Sequence, residues 1–159
     1  MDNILPANPH TNKGGLYLGD LMAAEDTATM NLLGINSVLT IISGFQIDYI
    51  IDGFKTNNIS HKLIKADDSI NEDISVHFAP AVEWIHQGLS KGNVFVHCFG
   101  GASRSASLVI GYLIWEKGWG YGEAVGWCKE RRGVVKPNVR FRGALKEWAV
   151  KCEGERGGG

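Results

Sequence analysis

The stretch Val96-His97-Cys98-Phe99-Gly100-Gly101-Ala102-Ser103-Arg104-Ser105 lies between the strongest strand and the strongest helix that the sequence predicts. The strand covers residues 94–96 and the helix covers residues 105–115. A turn from a strand into the start of a helix directs successive N–H groups and the positive end of the helix dipole toward one point. Gly100 and Gly101 let the backbone curl there without side-chain obstruction. The stretch therefore predicts an anion-binding loop.

Three side chains of this stretch suit phosphate chemistry. Cys98 enters at the base of the loop, where the same N–H groups stabilise its thiolate. Arg104 can fold back as a planar fork onto two phosphate oxygens, which lysine cannot match. Ser105 lies near enough to donate a hydrogen bond to the sulfur. A lone Cys is often only a small buried hydrophobe, but His-Cys-x5-Arg-[Ser/Thr] arises by chance on the order of 3 times in 10,000 chains of this composition.

Outside the loop, short β-rich runs alternate with amphipathic stretches. Strands are predicted at 16–18, 37–42 and 61–65, and helices at 21–33, 74–89, 121–132 and 138–152. Asp20 and Gly34 bound the first helix as N-cap and C′ residues, whereas Pro80 is awkward inside the second helix. This alternation predicts an α/β fold around a central, partly parallel sheet. Residues 1–152 form one domain, and the glycine-rich residues 153–159 are predicted to be a disordered tail.

The composition excludes several classes of protein. The 159 residues hold 16 Lys+Arg against 17 Asp+Glu, which lacks the basic excess of a nucleic-acid binder. No apolar run approaches the length of a membrane span, so no membrane partner is predicted. Three cysteines are too few for a disulfide framework and indicate a reducing compartment, the cytoplasm, with the nucleus as a further location.

The net charge hides an asymmetry between the two parts of the chain. Residues 1–90 carry 4 Lys and 11 Asp/Glu, whereas residues 91–159 carry 12 Lys/Arg and 6 Glu. A basic run comprises Lys129, Arg131, Arg132, Lys136, Arg140 and Arg142. Two interpretations of this run have equal weight: a solvated face, or a source of potential that attracts phosphorylated substrates.

The stretch 96–105 resembles the phosphate-binding loop of the cysteine-based protein tyrosine phosphatases, specifically their dual-specificity branch. The likeness extends over nearly the whole chain. Residues 15–19 and 33–35 resemble that family's N-terminal strand and helix, residues 64–68 (Ile-Lys-Ala-Asp-Asp) its general-acid loop, and residues 132–141 its last helical hairpin. The fold implied is α/β, with a central mixed sheet of about five strands flanked by helices.

The resemblance also implies a mechanism. Cys98 attacks phosphorus to give a cysteinyl-phosphate, and Ser105 assists the sulfur when it leaves. An Asp protonates the leaving oxygen and then accepts a proton from the attacking water. In the family pattern the acid is Asp68, but one inserted loop residue would make it Asp67. The implied phosphate-binding residues are Phe99, Gly100, Gly101, Ala102, Ser103 and Arg104.

Two supporting residues are expected: His97 from the chemistry of the loop, and Asn138 from the resemblance alone. His97 is expected to be a positioning residue at the strand end, because a thiolate at a helix N-terminus needs no base. Asn138 is expected to brace the loops near the pocket. No cofactor and no metal is predicted, since the histidines at 10, 61, 77 and 86 form no ligand pattern with the cysteines.

The expected activity is hydrolysis of phospho-Tyr and phospho-Ser/Thr monoesters on phosphorylated protein substrates. One alternative is a phosphoprotein-binding pseudophosphatase, although a nucleophile, an Arg and a candidate acid are all present. A second alternative keeps the chemistry but changes the substrate to a sugar, lipid or RNA 5′-phosphate. The loop carries no lysine, which disfavours polyanionic inositides. No oligomeric state follows from the sequence.

Overall fold

A mixed five-stranded sheet forms the centre of the protein. The structure, a computed structural model, describes residues 1–44 and 46–157. The strands are β1 (Asp2–Leu5), β2 (Leu16–Gly19), β3 (Ile35–Ile41), β4 (Ser60–Ile64) and β5 (Asn93–His97). They lie in the order β1-β2-β5-β3-β4. Only β1 is antiparallel to its neighbour, and the remaining pairs are parallel.

Helices cover both faces of the sheet. They are α1 (Leu21–Glu25), α2 (Thr27–Leu32), α3 (Asp48–Thr56), α4 (Phe78–Leu89), α5 (Arg104–Lys117), α6 (Tyr121–Arg131) and α7 (Val139–Gly157), and a 3₁₀ turn at Ile74–His77 precedes α4. Helices α1 to α3 pack on one face and α4 to α7 on the other. Across the described residues, no helix is long and apolar enough to cross a bilayer.

Strand β5 is the central element of the core. Its side chains alternate between the two faces, so Val94 and Val96 pack in the cluster under α4 and α5. Phe95 points to the opposite face and packs in the cluster that contains Met30 and Phe54. A strand buried on both faces is a continuous apolar run, which explains why residues 94–96 give the clearest strand signal in the sequence.

The predicted α/β fold, with a mixed sheet of about five strands flanked by helices, is confirmed. Each predicted strand and helix has a counterpart within a few residues. Two elements, β1 and α3, escaped prediction. In β1 only Ile4 is buried, so this short strand has no sustained alternation. Helix α3 and its N-cap residue, by contrast, carry Ile47, Ile50, Ile51 and Phe54 at helical spacing, a pattern that indicates an amphipathic helix and that the sequence prediction missed.

Three boundaries differ from the sequence prediction. The helix predicted at 21–33 is broken at Asp26, whose carboxylate caps α2 by accepting from the Thr29 N–H. Pro80 lies in the first turn of α4, where its missing N–H costs no hydrogen bond. Residues 153–157, predicted to be disordered, continue α7, and Arg156 there donates to the Trp115 carbonyl. Residues 158 and 159 of the predicted tail lie outside the described residues.

The parallel strands fix where a site can form. The carboxyl ends of β2, β3, β4 and β5 lie at one edge of the sheet, where ligands bind in open α/β sheets. The segments that leave this edge are residues 20–21, 42–43, 65–68 and 98–103. The last of these is the predicted anion-binding loop, and residues 65–68 include both candidate acids.

A glycine in the middle of α6 provides a test of the packing. A Cβ built on Gly126 meets no atom within 4 Å, and glycine inside a helix is less stable than alanine by about 0.5–1 kcal/mol. Gly126→Ala should therefore raise the free energy of unfolding by about that amount, measured by urea denaturation. The matched control is Gly14→Ala, because a Cβ there would lie 1.9 Å from the Gly92 carbonyl oxygen, and it should be destabilising. An unchanged or lowered stability of Gly126→Ala would contradict this description of α6.

Candidate active site

The loop of residues 98–103 joins β5 directly to the N-terminus of α5. Gly101 adopts a φ of +67°, and a Cβ there would lie 2.5 Å from the Gly19 carbonyl oxygen. Only glycine fits this position. Gly100, by contrast, has no positive φ and open space around a built Cβ. The predicted need for glycine therefore holds at 101, whereas the fold itself makes no such demand at 100.

Each carbonyl group of this loop faces a hydrogen-bonding group outside the space that the loop encloses, called the cradle below. Because C=O and the next N–H of a trans peptide point in opposite directions, this arrangement turns the N–H groups of residues 99–104 inward. The loop can thus present a row of amide donors to an anion at the start of α5. The six pairs are Cys98 with His97 Nδ1, Phe99 with Leu21 N, Gly100 with Arg132 Nη2, Gly101 with Arg132 Nε, Ala102 with Lys136 N and Ser103 with Ser107 N.

The Cys98 thiol lies at the base of the loop and is 2% exposed. Its Sγ accepts a hydrogen bond from the Gly101 N–H at 3.2 Å and lies 3.0 Å from the Ser105 hydroxyl oxygen. Ser105 is fully buried in the first turn of α5. An amide and a hydroxyl at a helix N-terminus stabilise negative charge on the sulfur. The predicted neighbours Cys98 and Ser105 are thus in contact.

Arg104, the first residue of α5, folds back over the loop edge. Its Nη1 donates to the Ala66 carbonyl oxygen at 3.0 Å, in the segment that follows β4. Its Nε is buried and, in the described part of the chain, has no hydrogen-bond partner. A buried guanidinium N–H without an acceptor is costly. An anion with paired oxygens beside the loop would remove this cost.

The adjacent carboxylates Asp67 and Asp68 have different partners. The Asp68 Oδ1 accepts from the Asn138 side-chain amide at 3.0 Å, and the Asn138 N–H donates to the Ser103 hydroxyl at 3.0 Å. Asp68 is thereby connected to the loop. The Asp67 carboxylate instead accepts from the Ser43 hydroxyl. Asn138, predicted to brace the loops, bonds to both of them and also caps α7 through its Oδ1.

His97 is fully buried beneath the loop. Its Nδ1 lies 3.0 Å from the Cys98 carbonyl oxygen, and its Nε2 lies 2.7 Å from the Thr40 hydroxyl oxygen. The ring stacks on Phe95 with centroids 5.4 Å apart. Burial lowers the pKa of His97 to about 4, so the ring is neutral at pH 7. It faces the backbone of Cys98, as expected of a positioning residue.

Arg132 contacts the loop, a role that was missed in the sequence, where it appeared in the basic run and at the start of the segment 132–141. Its Nε and Nη2 donate to the Gly101 and Gly100 carbonyls at 2.9 and 3.1 Å, and its Nη1 forms an ion pair with Asp2 at 2.9 Å. Its side chain is 14% exposed. Arg132 lies 31 residues from Gly101, so no local spacing pattern could have indicated this contact.

The remaining predicted residues lie on the same loop. The Phe99 side chain is 54% exposed at the rim, whereas Ser103 is buried. Among residues 1–44 and 46–157, no group of three or more His, Cys, Asp or Glu side chains is arranged to hold a metal ion. The structure thus brings residues 97–105, Asp68 and Asn138 together at one edge of the sheet.

Comparisons with known proteins agree with the fold and the loop. The family profile described as "Dual specificity phosphatase, catalytic domain" matches residues 16–151. Rat (Rattus norvegicus) dual specificity protein phosphatase 26 is 37% identical over 129 residues, which are 80% of this chain and 60% of that protein. Mouse (Mus musculus) dual specificity protein phosphatase 15 is 36% identical over 138 residues, which are 85% of this chain and 56% of that protein.

A solved structure of a related protein has the same fold. The human tyrosine phosphatase-like serine/threonine/tyrosine-interacting protein aligns with a TM-score of 0.82 and 27% identity, over 95% of this chain and 96% of that chain. The chain spans less than two thirds of the length of the two curated relatives. The family profile nevertheless matches well over half of the chain, and the resemblance inferred from residues 96–105 is confirmed. The protein belongs to the dual specificity phosphatase catalytic-domain family.

Proposed function

We propose that this chain hydrolyses phospho-Tyr and phospho-Ser/Thr monoesters on proteins through a cysteinyl-phosphate, without a metal or cofactor. The observation that carries the proposal is the loop itself. Its six carbonyls are bonded outward, its nucleophile contacts a hydroxyl and an amide, and the guanidinium beside it has a buried donor without a partner. A substrate phosphate would supply an acceptor for the buried Arg104 Nε–H and for the amides that face the inside of the loop.

In the first step, the Cys98 thiolate attacks phosphorus and forms the S–P bond. The N–H groups of residues 99–104 and the Arg104 fork hold the three equatorial oxygens, where charge develops in the transition state. The bond from phosphorus to the substrate oxygen breaks, and Asp68 gives its proton to that oxygen. The products are the free hydroxyl of the substrate and the cysteinyl-phosphate.

In the second step, water attacks the phosphorus of the cysteinyl-phosphate. Asp68, now ionised, accepts the proton of this water. The S–P bond breaks, and Ser105 donates a hydrogen bond to the leaving sulfur, which lies 3.0 Å from its hydroxyl oxygen. Inorganic phosphate and the Cys98 thiolate result, so one carboxyl group serves as acid and then as base.

The contacts of the two acidic residues favour Asp68 as the acid. Two successive hydrogen bonds, through Asn138, connect its carboxylate to Ser103 of the loop. Asp67 is bonded to Ser43 through its carboxylate and to Glu72 through its N–H, which directs it toward the end of β3. We accordingly assign proton transfer to Asp68 and keep Asp67 as the alternative that experiment must exclude.

The proposed cellular location follows from the nucleophile. A cysteine thiolate attacks phosphorus only in its reduced form, and a reducing compartment maintains that form. Cys98 and the other two cysteines, Cys128 and Cys152, are unpaired. We place the protein in the cytoplasm, with the nucleus as a further location. Phosphorylated proteins are the proposed partners, and neither nucleic acid nor membrane is among them.

Removal of the nucleophile tests the mechanism. Cys98→Ser should lower the hydrolysis rate of p-nitrophenyl phosphate by roughly 1,000-fold or more, because a serine hydroxyl is not ionised at neutral pH. The hydrolysis assay contains EDTA. In a separate assay without EDTA, which chelates vanadate, vanadate should inhibit the unmutated protein. The matched control is Cys128→Ala, since burial raises the pKa of Cys128 to about 12 and makes that thiol inert. Turnover by Cys98→Ser would refute the cysteinyl-phosphate.

The pH profile of kcat/KM tests the assignment of the acid. A reaction that needs a deprotonated nucleophile and a protonated acid should give a bell-shaped profile, with one rising and one falling limb. Asp68→Asn should remove the falling limb and lower kcat by about 100-fold. Asp67→Asn is the matched control and should keep both limbs. If only Asp67→Asn removes the falling limb, the two roles are exchanged.

A substrate panel separates the proposed activity from its alternatives. Phospho-Tyr and phospho-Ser/Thr peptides should be hydrolysed faster than a sugar phosphate, a lipid phosphate or an RNA 5′-phosphate. Cys98→Ser should still bind the phosphopeptides, because the phosphate-binding loop remains while hydrolysis is blocked. Preference for a non-protein phosphate would change the substrate class. Tight phosphopeptide binding by the unmutated protein without turnover would instead indicate a pseudophosphatase.

A further inference from the structure

Five of the six donors that hold the loop carbonyls outward are fixed by covalent structure. They are the backbone N–H groups of Leu21, Lys136 and Ser107 and two N–H groups of the Arg132 guanidinium, none of which can become an acceptor. The sixth is Nδ1 of His97, which faces the Cys98 carbonyl at 3.0 Å. A neutral imidazole carries its single proton on either nitrogen. Whether the carbonyl of Cys98 has a hydrogen-bond donor therefore depends on the tautomer of His97.

The ring of His97 is the first member of a series of three hydrogen-bonded side chains, which is called the hydrogen-bond chain below. His97 Nε2 lies 2.7 Å from the Thr40 hydroxyl oxygen, and the same oxygen lies 2.7 Å from Nε2 of His61. The three residues come from adjacent parallel strands, β5, β3 and β4, and Thr40 is the register partner of His97. Thr40 is fully buried. The geometry of the sheet thus places one hydroxyl between two ring nitrogens.

The two histidine rings at the ends of this hydrogen-bond chain each lie against an aromatic ring. The ring of His97 stacks on Phe95, and the ring of His61 lies 5.0 Å from that of Phe54. Burial lowers the pKa of both histidines to about 4, so both rings are neutral at pH 7. Each ring then has one proton, and the Thr40 hydroxyl has one more.

Only one direction of hydrogen-bond donation gives each of these three contacts a donor and an acceptor. If His61 Nε2–H donates to Thr40, the Thr40 hydroxyl donates to His97 Nε2, and His97 Nδ1–H donates to the Cys98 carbonyl. In the reverse direction, Nε2–H of His97 donates to Thr40, and a lone pair on Nδ1 faces the lone pairs of the Cys98 carbonyl oxygen. A buried pair of acceptors at 3.0 Å is unfavourable because neither has a proton to share.

We propose that Thr40 and His61 are positioning residues that fix His97 as the Nδ1–H tautomer and so hold the Cys98 carbonyl away from the phosphate cradle. The inference rests on the proposed function, because it assigns these residues to the loop that binds the substrate phosphate. Thr40 acts directly on His97, and His61 acts through Thr40. Neither residue touches the substrate.

The first measurement uses the unmutated protein. Nitrogen-15 NMR of histidine-labelled protein at pH 7 distinguishes a protonated ring nitrogen from an unprotonated one, and His97→Asn assigns the signal. A single species with a proton on Nδ1 of His97 is expected. A proton on Nε2, or an equal mixture of tautomers, overturns the proposal without any variant at Thr40. This result is independent of turnover, so it stands apart from a failure of the proposed phosphatase activity.

The second measurement compares two substitutions of one residue. Thr40→Val keeps the side-chain volume but removes the hydroxyl that donates to His97 Nε2, so the share of the Nδ1–H tautomer should fall and kcat should drop about tenfold. Thr40→Ser keeps the hydroxyl and should keep both the tautomer and kcat within about twofold of the unmutated protein. A purely structural role predicts equal losses of kcat in the two variants and an unchanged tautomer in each, and that outcome overturns the proposal.

A third variant separates His61 from Thr40. His61→Phe keeps a ring beside Phe54 but removes the donor at the outer end of the chain. The Thr40 hydroxyl can still donate to His97, so kcat should fall by a smaller factor, about threefold. Thermal unfolding of each variant shows whether the fold is intact. If His61→Phe lowers kcat more than Thr40→Val does, the proposed direction of donation, from His61 through Thr40 to His97, is wrong.

Discussion

The orientation of six peptide groups between Cys98 and Arg104 is the constraint on which the rest of the site depends. Five of the six carbonyls accept from a fixed N–H donor, and the sixth faces His97 Nδ1. A buried carbonyl left without a donor would cost about 1–3 kcal/mol. Because every carbonyl is bonded outward, the amide N–H groups face the cradle before any phosphate arrives. Such preorganised donors need no reorganisation when charge develops on the phosphate.

The outward donors come from distant parts of the chain, and this is how the fold determines the site. Leu21 begins α1, Arg132 follows α6, and Lys136 lies in the connection to α7. Gly101 packs against the Gly19 carbonyl at the end of β2, which leaves no space for a side chain. A loop of this shape is therefore stable only after the helices have packed on the sheet, and it cannot form from residues 96–105 alone.

This dependence explains how much the sequence predicted. The pattern around Cys98, Arg104 and Ser105 is local, so the loop, the cysteine at its base and the main strands and helices could be predicted. Thr40 contacts His97 at the end of β5, and Arg132 contacts the loop, both from far away in sequence. No spacing rule indicates such contacts. Asp67 and Asp68 are chemically identical neighbours, and only their partners, Ser43 and Asn138, distinguish them.

Counting the charged residues in each half of the chain does not show which cation can reach an anion in the loop, because equal charges have different partners. Arg132 comes from the basic half, but its charge is paired with Asp2, and its donors are occupied by the back of the loop. Arg104 is different: within the described residues, no carboxylate lies within ion-pair distance of it. In the proposed function, an incoming phosphate would therefore meet the cation of Arg104 and, beside it, the inward amides. Arg132 instead holds the loop shape that makes those amides available, so two arginines of equal charge have opposite positions relative to the substrate.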